Sequence, residues 1–273
     1  MAKTYPVGID PHQTEFVKLV RANTTRHREH EVFRDFCELS ALSLSNAVDR
    51  IHYDVREARY LDMIKRYNVD EVARFPLMLA HLVESLEGGF KDCIGQLFMA
   101  MELGSHWNGQ FFTPYEVCRL MAKITLTDSQ SIIEQKGFIT LQEPAAGAGA
   151  MVIACAESMK DDGVNYQRCL HVTAQDIDIT AVHMAYVQFS LLHIPAIVIH
   201  GNTLALTEWD VWVTPAHVLG GWDHKLRRRR DDERSEQSDA VAPANSDAAP
   251  LEAERTRIVE FRTERAEQLG LFE

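Results

Sequence analysis

Three short stretches of the chain carry residue types suited to holding a nucleoside. The first, FITLQEPAAGAG, runs from a strand-like segment at Phe138–Leu141 through Glu143 and Pro144 to Gly147 and Gly149. Small residues at such a bend let the backbone approach a ligand closely. The second is CLHVTAQD, which ends at Asp176, 29 residues beyond Gly147. A carboxylate at the tip of a second strand is placed to grip a ribose diol. In the third, AIVIH runs into Gly201-Asn202-Thr203-Leu204, where the Asn202 amide suits an adenine edge. Each stretch lies at the carboxyl end of a strand-like run, the side on which open sheets bind ligands. The glycines alone are weak evidence, because glycine also merely tightens a strand-to-helix turn.

The elements that position these residues follow from periodicity. From residue 106, strand-like and helical runs alternate: GFITLQEP, MVIACAESM, CLHVTAQD, ITAVHMAYVQFSLLHI, AIVIHGNTL and WDVWVTP. That alternation predicts a parallel sheet with crossover helices, of the doubly wound class. Upstream, GQFFTPYEVCRLMAKIT reads as a Phe-Phe turn with Thr-Pro opening a helix. Residues 12–105 repeat apolar groups at helical spacing and predict a helical bundle, with Arg50–Arg59 as a charged, solvated connector or helix face. Residues 227–256 are charged and aperiodic, which predicts a disordered linker, and 257–273 form a short amphipathic tail. The expected organisation is a helical domain over 1–105, an α/β domain over 106–226, the linker and the tail.

Composition sets limits. A hydrophobic fraction of 46% over 273 residues supports a sizeable core. No apolar run reaches the ~18 residues of a membrane span, and MAKTYPVGID lacks the apolar core of a signal peptide, so a cytoplasmic location is expected. The five cysteines have no CxxC spacing. His171, His183, His193 and His200 lack acidic or cysteine companions at ligand spacing, and no metal site is expected. The net charge of −12 is uneven: residues 106–226 carry 6 basic and 12 acidic groups. Unaided nucleic-acid binders usually present a basic surface, so this segment does not read as a strong DNA binder by itself.

GQFFTP followed about 30 residues later by EPAAGAG resembles the γ-type adenine-N6 DNA methyltransferases, notably the modification subunits of type I restriction systems. The resemblance covers roughly residues 75–217. It implies a Rossmann-like class I methyltransferase sheet behind an N-terminal helical domain, with S-adenosyl-L-methionine as cofactor and DNA as substrate. By matching position, it implies that Phe112 and Thr113 close over the cofactor. Glu143, Ala145 and Gly147 would surround its methionine part, Asp176 would hold the ribose, and Asn202, where the family prefers Asp, would face the adenine.

The catalytic tetrapeptide of that family is Asn or Asp, Pro, Pro and an aromatic at the end of the fourth strand, where it meets a flipped adenine. Here WDVWV runs into Thr214-Pro215-Ala216-His217. The Thr214 hydroxyl and the Pro215 carbonyl can accept hydrogen bonds and the His217 ring can stack, but the strong first acceptor is lost. Such a loss costs ~2 to 4 kcal/mol of transition-state stabilisation. Two readings therefore stand: an active methyltransferase, or a catalytically silent regulatory or anti-restriction relative. The sheet also reads as truncated after its fourth strand, with Trp222, a partner chain or a second copy left to cover the edge. Finally, Gln268-Leu269-Gly270-Leu271-Phe272 resembles the peptide that docks bacterial proteins on the β sliding clamp, with Leu271 and Phe272 as apolar anchor and Gln268 as polar head. Tethering would raise the local DNA concentration and offset the acidic surface.

Overall fold

The computed structural model of the chain describes residues 8–103 and 112–240, the side chains of 236–240 excepted. Five helices come first: α1 (Pro11–Ala22), α2 (Glu29–Asn46), α3 (Tyr53–Ile64), α4 (Val69–Glu87) and α5 (Cys93–Ala100). Their starts obey local capping chemistry. Asp10 caps α1 in a reciprocal box with Gln13, Asn68 caps α4 in one with Glu71, and Asp92 caps α5 by accepting from Gly95 N. The apolar stripes predicted from 12–105 become the buried sides of these helices, led by Phe16, Phe33, Phe36, Met78 and Leu97.

After α6 (Tyr115–Thr125) and α7 (Ser129–Lys136), the sheet and its crossovers alternate: β1 (Ile139–Glu143), α8 (Ala150–Asp161), α9 (Tyr166–Cys169), β2 (Leu170–Asp176), α10 (Ile179–Leu191), β3 (Ala196–Asn202), β4 (Thr207–Val213) and α11 (Pro215–Leu219). The sheet order is β1-β2-β3-β4. β1, β2 and β3 are parallel, with Glu143 beside Ala174 and Asp176 beside His200. The architecture is Rossmann-like α/β. The four-residue connection 203–206 is too short for a crossover, so β4 returns antiparallel along the outer side of β3, rather than joining a wholly parallel sheet.

Alternation divides the strands into two faces. Ile139, Leu170, Val172, Ala174, Ala196 and Val198 are buried on one; Thr140 and Gln142 are exposed, and Thr173 and Gln175 half-buried, on the other. On the second face α11 makes contact through His217, whose Nδ1 lies 2.9 Å from His171 Nε2 near the amino end of β2.

The expected boundary near residue 105 is not a boundary of compactness. Residues from α1 through β4 belong to one compact unit and one apolar core, with α2 and α5 packed against α10. The region expected to be solvated at 50–59 contributes to this union. Arg56 is 5% exposed, stacks 3.9 Å from the Trp212 ring centroid, and donates to Asp49 (2.6 Å), Ser45 (2.5 Å) and the Val211 carbonyl (2.7 Å). A charged side chain fits there because its donors are satisfied and its plane meets an aromatic face.

A second compact unit begins at Gly221, and α12 (Trp222–Ala240) is its described element. The segment expected to be coil from 227 is thus helical as far as 240. Arg, Glu and Asp side chains at i, i+4 spacing support such a helix, as Arg229 and Glu233 do at 3.1 Å.

Candidate functional site

At the carboxyl ends of β1, β2 and β3 the chain forms a continuous rim. After Glu143 the backbone turns through Pro144–Gly149, with Gly147 at φ 54° and Gly149 at φ 98°. Both are left-handed values that favour glycine. A Cβ on Gly149 would lie 2.4 Å from the Phe189 ring, and one on Gly147 would lie 2.9 Å from the Phe112 ring. Gly149 therefore lets α8 start close against α10, while Gly147 leaves its loop in contact with Phe112, itself 5.1 Å from Phe98 by ring centroids.

Asp176 joins two strand tips. Its Oδ2 accepts from Gly147 N at 2.8 Å and its Oδ1 from Asp178 N at 2.9 Å. The carboxylate thus orders the glycine loop as well as the start of α10, a structural role that its position in the sequence does not announce. Glu143 accepts from Ala145 N at 3.2 Å. Burial pushes the Glu143 carboxyl up from its ordinary range; the Ala145 bond opposes that, and the Asp176 charge adds to it. Two carboxylates on adjacent strand tips thereby give the rim an acidic character matched to hydroxyl or ammonium donors.

The third tip is a hairpin. Asn202 Oδ1 accepts from Ala205 N at 3.0 Å, and Thr203 Oγ1 donates to the Pro144 carbonyl at 2.7 Å. Asn202 caps the turn, and Thr203 ties that turn to the β1 loop. Ile177, directly after Asp176, is 58% exposed, and Leu204 in the turn is 98% exposed. These apolar groups at the rim could have been found in the sequence from their adjacency to Asp176 and Asn202. Ala145 and Thr113 are exposed, and the helix-cap position of α6 is Pro114 rather than Thr113.

Behind the loop sits a support that sequence reasoning missed. Gln188 on α10 is fully buried; its Nε2 donates to the Ala148 carbonyl and to Asp92 Oδ1, both at 2.8 Å, and its Oε1 accepts from Ile94 N at 3.0 Å. One amide thus fastens the glycine loop to the start of α5. Burial raises the Asp92 carboxyl above its ordinary range, against the lowering effect of the bonds from Gln188 and Gly95. A buried glutamine within an apolar helix is the only sequence signal for it.

Phe112, Glu143, Gly147, Asp176 and Asn202 all belong to this rim or its contacts. Thr214, Pro215 and His217 do not. Because β4 runs antiparallel, its end lies at the amino end of β3: Thr214 N donates to the Ala196 carbonyl at 3.0 Å, and Thr214 Oγ1 accepts from Ala196 N and donates to the Ile194 carbonyl, both at 2.9 Å. Ala196 and His200, the neighbour of Asp176, are four residues apart along a strand, about 13 Å at ~3.3 Å per residue. Thr214 and His217 are also 0% and 1% exposed. The expected placement of this tetrapeptide beside the cofactor residues is therefore corrected: it starts α11 and plugs the opposite end of the sheet. The Gln268–Phe272 peptide lies outside the described residues.

No curated protein sequence matches the chain. Among solved structures it is similar to one described as a class I S-adenosylmethionine-dependent methyltransferase from Listeria monocytogenes, with 14% identity, 73% of this chain and 56% of that chain covered, and a TM-score of 0.40. It is also similar to the methyltransferase subunit of a type I restriction-modification system from Streptococcus thermophilus, with 17% identity, coverages of 76% and 42%, and a TM-score of 0.39. The chain spans about half the length of these two proteins. Residues 97–248, more than half of the sequence, match the family described as N-6 DNA Methylase, and the chain belongs to that family.

Proposed function

We propose that this protein binds S-adenosyl-L-methionine at the rim formed by the β1–α8 loop, the β2 tip and the β3–β4 turn, and acts in methylation of adenine N6 in DNA. The observation that carries the reading is the Asp176 carboxylate, held at a strand tip by the Gly147 and Asp178 amides. The residues present fit the cofactor's chemistry. Asp176 would receive the ribose diol and Glu143 the ammonium of the methionine part, and Phe112, in contact with the Gly147 loop, would serve as an apolar cover. Asn202 and the exposed Ile177 would flank the adenine. The bound cofactor would supply the electrophilic methyl group; the chain's own contribution is to orient it and exclude water from it.

A second reading is favoured by the location of Thr214–His217. With that tetrapeptide buried at the far end of the sheet, the flipped adenine is met by residues other than these, or the chain binds cofactor without transferring methyl by itself. Completion of the site and sheet by a second copy or a partner chain accords with the exposed apolar stripe Val117, Leu120, Met121 and Ile124 on α6. For the tail, we propose capture by the β sliding clamp through Gln268, Leu269, Leu271 and Phe272.

Calorimetry of the full chain with S-adenosylmethionine and with its demethylated product tests the cofactor site. Binding is expected, with at least about a tenfold loss in Asp176→Ala; no heat with either ligand refutes the proposal. Transfer of labelled methyl to unmethylated DNA then separates the two readings, since binding without incorporation leaves the second. Leu271→Ala combined with Phe272→Ala should abolish capture by the clamp, and unchanged capture refutes that interaction.

A further inference from the structure

The helices α1 and α4 cross as an antiparallel pair bolted at both ends. At one end Asp10, before α1, accepts from Ser85 at 2.5 Å and Lys91 at 2.6 Å; at the other, Asn23 donates to the Glu71 carbonyl at 3.0 Å and accepts from Arg74 at 2.8 Å. Between the bolts, near the α1 start, three side chains from the two helices converge. His12 Nδ1 lies 3.5 Å from His81 Nδ1 and 2.8 Å from Glu84 Oε2, and His81 Nδ1 lies 3.1 Å from the same oxygen. Among the described residues this is the group of histidine, cysteine and carboxylate atoms close enough to share one ion.

We propose that His12, His81 and Glu84 bind a divalent transition-metal ion of the zinc class. Two ligand atoms of a tetrahedral zinc ion, each at ~2.0–2.1 Å, stand about 3.3 Å apart. The three observed separations bracket that value, and a point about 2.1 Å from all three atoms exists just outside their plane. Two imidazole nitrogens and one carboxylate oxygen select zinc, cobalt, nickel or copper over magnesium and calcium, which prefer all-oxygen shells. His81 and Glu84 stand at i, i+3 on one helix, so they reach a common point from one face. The side chains are 44%, 28% and 48% exposed for His12, His81 and Glu84, which leaves room for a water ligand. Glu15, one turn along α1 and within electrostatic reach of His81, keeps a carboxylate beside the site; its carboxyl is lowered chiefly by the hydrogen bond from Lys18. Ligation requires each imidazole to aim an Nδ1 lone pair at the cation, so the neutral rings would carry their proton on Nε2.

The expectation of no metal site rests on the spacing of His171, His183, His193 and His200, none of which enters this cluster. His12 and His81 are 69 residues apart, and only the packing of α1 on α4 unites them.

The test uses the full chain without an affinity tag and zinc chloride as the probe. One equivalent is expected to bind with a micromolar or tighter constant, and cobalt(II) should give visible bands of a four-coordinate nitrogen and oxygen site. His81→Ala and Glu84→Gln should each weaken zinc binding at least about tenfold while keeping the helical circular dichroism of the parent. Zinc should raise the melting temperature of the parent in a dose-dependent way, reversed by chelator, and magnesium and calcium should not. Zinc binding weaker than about 100 µM, or binding unchanged in both variants, overturns the site.

Discussion

Replacing Gln188 by leucine tests whether the glycine loop depends on its buried support. The side chain is close in volume, so the change removes three hydrogen bonds without opening a large cavity. It leaves the Ala148 carbonyl and the Ile94 N–H without that amide, and it leaves Asp92 with the Gly95 N–H. A buried polar group left unsatisfied costs roughly 1–3 kcal/mol, and the carboxylate stands at the upper end. Against this, an apolar side chain gains about 1.5–3 kcal/mol from full burial. The expected net loss is about 2–4 kcal/mol, a large share of the ~5–15 kcal/mol that holds a domain folded. Urea unfolding of the full chain, followed by circular dichroism with and without S-adenosylmethionine, reads it out. The midpoint should fall at constant slope, and the cofactor's constant should weaken because Ala148 is no longer fixed. Gln188→Glu keeps the shape but puts a carboxyl beside Asp92; that carboxyl must carry a proton to donate, so its folded pKa is raised and the variant should gain stability relative to the parent as pH falls from 7 to 5. A leucine variant within about 0.5 kcal/mol of the parent, with unaltered cofactor affinity, refutes the support role.

Arg56→Met should cost about 2–4 kcal/mol, because it strips the face of Trp212 and takes the guanidinium from the buried Asp49 carboxylate, which keeps His52 and two backbone amides; adding Asp49→Asn should recover part of the loss in a double-mutant cycle. Gly149→Ala forces a Cβ against Phe189 at φ 98°, so the variant should melt several degrees lower, whereas Gly163→Ala, also at positive φ but with open space around it, should lose less. His183 packs edge-on against Trp212, and burial first, aided by His200 and Arg56, pushes its pKa down to about 3. The unfolded chain takes up that proton near pH 6.5 and the folded chain does not, so stability present above that pH is lost as pH falls toward 3. His183→Phe should flatten the decline between pH 6.5 and 5, as measured by denaturation midpoints at each pH.

The helical segments and three strand tips were legible because their signals are local. Apolar spacing, capping residues such as Asn68, and glycines at a bend are all written within a few residues of where they act. Where a strand lies in a sheet is a different kind of fact. WDVWV reads equally well as the next parallel strand or as a hairpin return, and only the shortness of the connection from Asn202 to Thr207 hints at the second. From that one ambiguity comes the misplacement of Thr214–His217. Arg56 within a run of charges and Gln188 within a run of apolar residues both run against the patterns around them, and each takes its meaning from a partner about 40 to 155 residues away.

The hydroxyl of Thr203, hooked onto the Pro144 carbonyl across the gap between two loops, has a mechanical consequence. On the binding mode proposed above, lips tied in this way would set a fixed gauge and reject an oversized guest by width alone, with no moving part. Unbuttoning it with valine, which keeps the bulk and drops the hydroxyl, should relax discrimination among S-adenosylmethionine analogues enlarged at the adenine before it disturbs the native one. Selectivity at this site would then be a property of the frame rather than of any single contact with the guest.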